Sequence, residues 1–108
     1  MIQELIKYKG HQVAPAELEA LLLSHPKIMD AAVIGVEGES TELPRAYVVA
    51  DRTQVSADEI HKFVNSAVAR YKQLRGGVFF IDEIPKTASG KILRKDLRQL
   101  AARTRSRL

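Results

Sequence analysis

The chain has 108 residues, 45% of them hydrophobic, no cysteine, and a formal net charge of +4. That is enough apolar material for one core and too little length for two domains. It excludes a disulfide framework, a thiolate metal site and a low-complexity tract, and no apolar run approaches the ~20 residues that a bilayer span needs. A leader peptide is not expected from the opening residues, and His11, His25 and His61 lack metal-ligand spacing, so no metal site is expected.

Glu4 to Val13 reads as two short extended pieces around Lys9-Gly10, a hairpin with glycine where a positive φ is tolerated. Ala14-Pro15-Ala16-Glu17 begins a helix, with proline suited to the first turn and Glu17 and Glu19 near the positive end of the dipole. Leu18, Leu21 and Leu22 form one face, and His25-Pro26 stops the helix. Ile28 to Val36, containing "AAVIGV", is continuous and β-branched enough for a buried strand. "EGESTELP" predicts a turn or loop, and "RAYVVA" the next strand.

Ser56-Ala57-Asp58-Glu59 is a capping box. Ile60, Phe63, Val64, Ala67 and Val68 follow at helical spacing, "YKQLRGG" closes that helix, and "VFFI" (78–81) is a third strand. Residues 82–91 form a loop. Ile92, Leu93, Leu97, Leu100 and Ala101 then predict an amphipathic helix with Arg94, Lys95 and Arg98 on its outer face and Ser89 as its cap. The whole predicts an α+β domain: a small three-stranded sheet with packed helices plus an N-terminal β-hairpin.

Charge is unevenly placed. Residues 1–85 sum to −3 and residues 86–108 to +7, so the basic character begins at Lys86. Such a block suits a solvated helix face, a frayed tail or a surface for an anionic partner. The stretch "EIPKTASGKILR" (83–94) opens it. A phosphate-binding P-loop would need glycine at position 85 and Ser or Thr at position 92, but Pro85 and Ile92 stand there. Pro85 fixes the entry to Lys86, and Gly90 lets the backbone pass close to a neighbour beside Lys91. A lysine there is a compact cation suited to phosphate and carboxylate oxygens whose charge changes in a reaction.

Two stretches, "ELIKYKGHQVAPAELE" (4–19) and "IPKTASGKILRKDL" (84–97), resemble the two C-terminal signature motifs of the adenylate-forming superfamily, most nearly acyl-CoA synthetases of the 4-coumarate–CoA ligase type. "HPKIMDAAVIGV", "LPRAYVVA" and "YKQLRGGVFFIDEIP" match in kind and order, so the resemblance covers essentially the whole chain, 1–108. It implies a mobile C-terminal domain whose partner is the N-terminal adenylation domain of the same enzyme. In that family a carboxylic acid attacks ATP to give an acyl-adenylate, and coenzyme A then displaces AMP. The resemblance implies ATP and coenzyme A as cofactors, with Mg2+ held mainly by the missing domain. It assigns adenylation to Lys91, with Gly90 clearing its path. The hairpin would serve thioester formation, with Lys9 and Gly10 at coenzyme A, Lys7 near the nucleotide and Gln12 in catalysis. Lys86 and Arg94 are expected as supporting charges.

The match is incomplete. The family's first motif usually begins Asp-Arg, with a hinge residue two positions after the Arg; Met1 falls where that Arg would be and Gln3 at the hinge. His11 replaces a common aromatic. The chain ends Ser106-Arg107-Leu108 behind a basic tail (103–108), a variant of the S-K-L peroxisomal address, which implies a peroxisomal import receptor as a further partner. The alternative from another class is a stand-alone basic module for nucleic acid or an acidic partner. Nucleic acid is disfavoured because no aromatics interleave with the charge on a sheet surface.

Overall fold

A computed structural model of the protein describes residues 5–106, with side chains to 103. The expectations for Met1, Gln3 and the Ser106-Arg107-Leu108 address therefore lie outside the described side chains. The described chain runs β1 (Ile6–Tyr8), β2 (His11–Val13), α1 (Pro15–Leu23), β3 (Ile28–Glu37), β4 (Glu42–Ala50), α2 (Ala57–Asn65), β5 (Val78–Phe80) and α3 (Arg94–Ser106). This is the α+β arrangement expected: a two-stranded β1-β2 sheet and a three-stranded β3-β4-β5 sheet.

β3 and β4 form a long antiparallel ribbon, and β5 lies parallel to β4 after the α2 crossover. Both faces of the ribbon are covered, which is why β3 reads as a continuous apolar run. Ala31, Val33, Ala46 and Val48 point into the larger core with Leu18 and Leu22 of α1 and Ile60 and Val64 of α2. Ala32, Ile34 and Tyr47 point the other way, onto Leu97 and Ala101 of α3 and onto Ile84. A register shift between Ile28 and Asp30 resets the alternation. Ile28 thereby joins the larger core, while the bulged Met29 stands 71% exposed.

Several boundaries differ from expectation. "ELP" belongs to β4, leaving only Gly38 to Thr41 as the turn, closed by the Gly38 N–H donating to the Thr41 carbonyl (2.8 Å). Pro44 tolerates strand pairing because β5 does not reach it. Ser56 caps α2 as expected, its hydroxyl accepting from the Glu59 N–H (3.1 Å), but α2 stops at Asn65. There the Asn65 side chain accepts from the Leu74 N–H (3.2 Å), and residues 70–72 form a separate 3-10 turn. Of the two adjacent phenylalanines, Phe80 packs against the larger core, whereas Phe79 is 38% exposed beneath the Arg45 guanidinium (4.4 Å).

Gly76 marks where the β4–β5 connection grips the ribbon. Its N–H donates to the Pro44 carbonyl (2.7 Å), and its carbonyl accepts from Arg45 Nε (2.8 Å). A Cβ there would sit 2.8 Å from the Pro44 oxygen and 3.0 Å from both Arg45 Cβ and Val36 Cγ2. These atoms cannot swing away, so Gly76→Ala is expected to destabilise by about 1–3 kcal/mol, read as a lower urea midpoint.

Candidate functional site

The loop before α3 is a miniature hairpin. Lys86 and Ile92 pair as an antiparallel bridge, and within it the Thr87 N–H donates to the Lys91 carbonyl (2.8 Å) and the Gly90 N–H to the Thr87 carbonyl (2.9 Å). Gly90 sits at φ +89°. That is the three-residue turn in which a left-handed residue closes the bend. Gly90 is therefore required by the turn itself, and the space where its Cβ would lie is open to 4 Å. Thr87 Oγ1 accepts from the Lys91 N–H (3.1 Å) and lies 3.0 Å from Ser89 Oγ. Ser89 is thus spent inside the turn and does not cap α3, which begins at Arg94 rather than Ile92 because Ile92 is held in the bridge.

Lys91 stands exposed beside this turn, and among the described residues its ammonium meets no carboxylate, hydrogen-bond partner or ring. Its neighbours in the basic block are engaged. Lys86 Nζ pairs with Asp30 Oδ2 at 2.6 Å. Arg94, expected on the outer face of α3, turns inward and donates to both oxygens of Glu19 at 2.8 Å. Two of the cations that made a solvated face or a polyanion surface plausible are therefore neutralised within the fold.

The other predicted residues gather at the β1-β2 hairpin. Tyr8 and His11 flank a two-residue turn in which Lys9 (φ 46°) and Gly10 (φ 85°) are both left-handed, the turn whose twist matches that of the strands. Gly10 adopts this freely, but Lys9 costs about 1–2 kcal/mol. The conformation persists because the hairpin is tied to the β3–β4 turn. Lys7 N–H donates to Glu42 Oε1 (2.8 Å), Lys9 N–H donates to Thr41 Oγ1 (2.8 Å), and Thr41 Oγ1 donates to the Lys7 carbonyl (3.0 Å). Lys7 and Gln12 face each other in register and are exposed, while Ile6 and Val13, one step away, are buried.

Beside them His11 stacks on Tyr71 at 4.2 Å, so the replacement of the family's aromatic keeps a flat ring at this position. The Lys72 ammonium lies 5.6 Å from the Tyr71 ring. Lys72 is paired with Glu17 at 2.7 Å, a hydrogen bond that holds its ammonium above the ordinary lysine value.

The predicted residues thus fall into two groups. Lys91 and Gly90 stand on the hairpin whose Lys86 is paired with Asp30 of β3, whereas Lys7, Lys9, Gly10 and Gln12 stand on the hairpin tied to Thr41 and Glu42. From Asp30 to Glu37, which pairs with Glu42, β3 runs seven steps, about 23 Å of strand at ~3.3 Å per residue. Sequence reasoning missed the residues that hold the groups in place: Glu19, Asp30, Thr41 and Glu42. Glu19 left a signal, since it stands three residues before Leu22 on the apolar stripe of α1, and a carboxylate there needs a buried partner.

Residues 17–91 match the AMP-binding enzyme C-terminal domain family. The chain is 59% identical over 100 residues to 4-coumarate–CoA ligase 1 of Glycine max, covering 90% of this chain and 34% of that protein. It is 56% identical over 104 residues to 4-coumarate–CoA ligase 2 of Nicotiana tabacum, covering 94% of this chain and 19% of that one. Among solved structures it resembles the Mycobacterium tuberculosis fatty acyl CoA synthetase with a TM-score of 0.86, 37% identity and coverage of 93% and 20%. The o-succinylbenzoate CoA synthetase of Bacillus subtilis, in complex with its acyl-adenylate intermediate, aligns with a TM-score of 0.80, 38% identity and coverage of 87% and 19%. The chain spans about a fifth to a third of the length of these relatives. With the family matched over most of its length and the fold shared, this chain is an AMP-binding enzyme C-terminal domain.

Proposed function

We propose that this chain is the mobile C-terminal domain of an ATP-dependent carboxylic acid–CoA ligase. The acid and ATP give an acyl-adenylate and pyrophosphate, and coenzyme A then gives the thioester and AMP. Its partner is the N-terminal adenylation domain of the same enzyme, which holds most of the ATP site with its Mg2+ and selects the acid.

The observation that carries this reading is the pair of separated groups on one ribbon. Lys91 is an exposed cation on a hydrogen-bonded hairpin, with no ion-pair partner among the described residues. When acid and nucleotide meet beside it, its ammonium bridges carboxylate and α-phosphate oxygens and offsets charge as the bond forms. At the far end, the Lys9-Gly10 turn offers backbone with no side chain in the way, so the pantetheine arm of coenzyme A lies along Gly10 while Lys9 meets its anionic portion. Lys7 attends the nucleotide, and Gln12 supplies an amide to the reacting centre. Two groups carried on different hairpins, one tied to Asp30 and the other to Thr41 and Glu42, are read as serving different half-reactions, so the domain swings between them.

Joined to its N-terminal domain, this chain should support acid-, ATP- and coenzyme A-dependent release of pyrophosphate and AMP with thioester, and alone it should support none. Thioester formation by the isolated domain, or release of ADP and phosphate by the joined enzyme, contradicts the proposal. Peroxisomal import through Ser106-Arg107-Leu108 belongs to the same proposal and rests on the tripeptide alone. A fluorescent protein placed ahead of residues 1–108 is expected to collect in peroxisomes, and a diffuse signal removes this part.

A further inference from the structure

We propose that Glu19 and Arg94 are positioning residues for Lys91, a clamp that fixes where its hairpin stands on the sheet. The inference rests on the adenylation role given to Lys91 above. β3 is an edge strand, and at Val33 its N–H and carbonyl face away from β4, where the Ala46 opposite pairs instead with the β5 side through Gly77. Glu19 Oε2 accepts from the Val33 N–H (2.8 Å), and Arg94 Nε donates to the Val33 carbonyl (3.3 Å). With the two Arg94 Nη2 bonds to Glu19, α1, β3 and α3 meet at one point.

That point lies three residues after Lys91. Between them, Ile92 is bridged to Lys86 and the Leu93 N–H donates to the Pro85 carbonyl (2.9 Å), so the stem has no slack. The other stem is tied by Lys86–Asp30, but those side chains are 35% and 29% exposed, and solvent screens the pair. Glu19 is only 8% exposed, so the Glu19–Arg94 pair holds the loop more firmly. A flexible lysine reaches a fixed reacting geometry only if its backbone is placed, and a misplacement of about 1 Å can cost 10²-fold in rate. Apolar residues could join α1 to α3 equally well, but only a donor and an acceptor can also meet Val33, which sets the height of the loop along β3.

The test uses the full-length ligase and two single-turnover assays: pyrophosphate release from acid and ATP, and thioester formation from supplied acyl-adenylate. Arg94→Lys and Glu19→Gln, the latter keeping an acceptor for the Val33 N–H, are expected to slow the first by about 10- to 100-fold and the second by less than about threefold. Placed on Lys91→Ala, Arg94→Lys should slow pyrophosphate release no further, because its effect passes through Lys91. A purely structural pair would depress both assays together, or would multiply with Lys91→Ala; either result overturns the clamp. If Lys91→Ala alone leaves pyrophosphate release intact, the adenylation role itself is wrong, and the clamp loses its purpose. Should Arg94→Lys fail to fold, Glu19→Gln carries the same comparison.

Discussion

Lys91→Ala in the intact ligase is expected to slow pyrophosphate release by about 10²–10³-fold, the usual cost of removing one aimed charge-stabilising group. Thioester formation from supplied acyl-adenylate should change by less than about threefold. The separation is expected because the side chain is exposed and takes no part in the ion pairs among the described residues. Its removal should leave stability within about 0.5 kcal/mol, so a melting curve that moves little certifies the comparison. The backbone that shapes the hairpin, Thr87 N–H to Lys91 carbonyl and Lys91 N–H to Thr87 Oγ1, survives the substitution. Lys91→Arg should also be poor, because a broad guanidinium cannot take the place of a compact ammonium. Equal loss in both half-reactions would remove Lys91 from its assigned role.

At the other end of the ribbon the expected result is the mirror image. Gln12→Ala should slow thioester formation by about 10- to 100-fold, the scale of one or two hydrogen bonds made at the reacting centre, and leave pyrophosphate release nearly unchanged. Gln12 is exposed and faces only Lys7 across the hairpin, so its loss does not disturb the buried Ile6 and Val13. Gly10→Val should reinforce the effect by a different route. At φ 85° a β-branched residue costs about 1–3 kcal/mol, and its side chain enters the space that Gly10 leaves open to 4 Å. A Gln12→Ala enzyme that loses pyrophosphate release instead would place the hairpin in the wrong half-reaction.

Much of the architecture was legible in the sequence because it depends on local chemistry. The Lys9-Gly10 turn, the Ser56 cap and the unbroken apolar run of β3 each declare themselves within a few residues. What was not legible depends on contacts between distant residues. Arg94 looks like part of a basic face until Glu19, 75 positions earlier, is brought to it by the packing of α1 and α3 around the edge of β3. The 82–91 segment looks like a loop, since its order comes from the Lys86–Ile92 bridge and the Asp30 contact rather than from any run of strand-forming residues. The tie between the β1-β2 hairpin and Thr41 and Glu42 was hidden for the same reason: a turn rich in acidic and hydroxyl residues reads as solvated until another turn lies against it.

The seal over Val33 also covers backbone groups on the open edge of the sheet. An unprotected β3 would offer its backbone groups to the same strand of a neighbouring molecule, and apolar side chains would follow into that contact. Glu19 and Arg94 fill those valences with ionised groups that a second copy could not displace without stranding both charges. The same two side chains that hold the stem of the Lys91 hairpin therefore also close the open edge of the sheet at Val33.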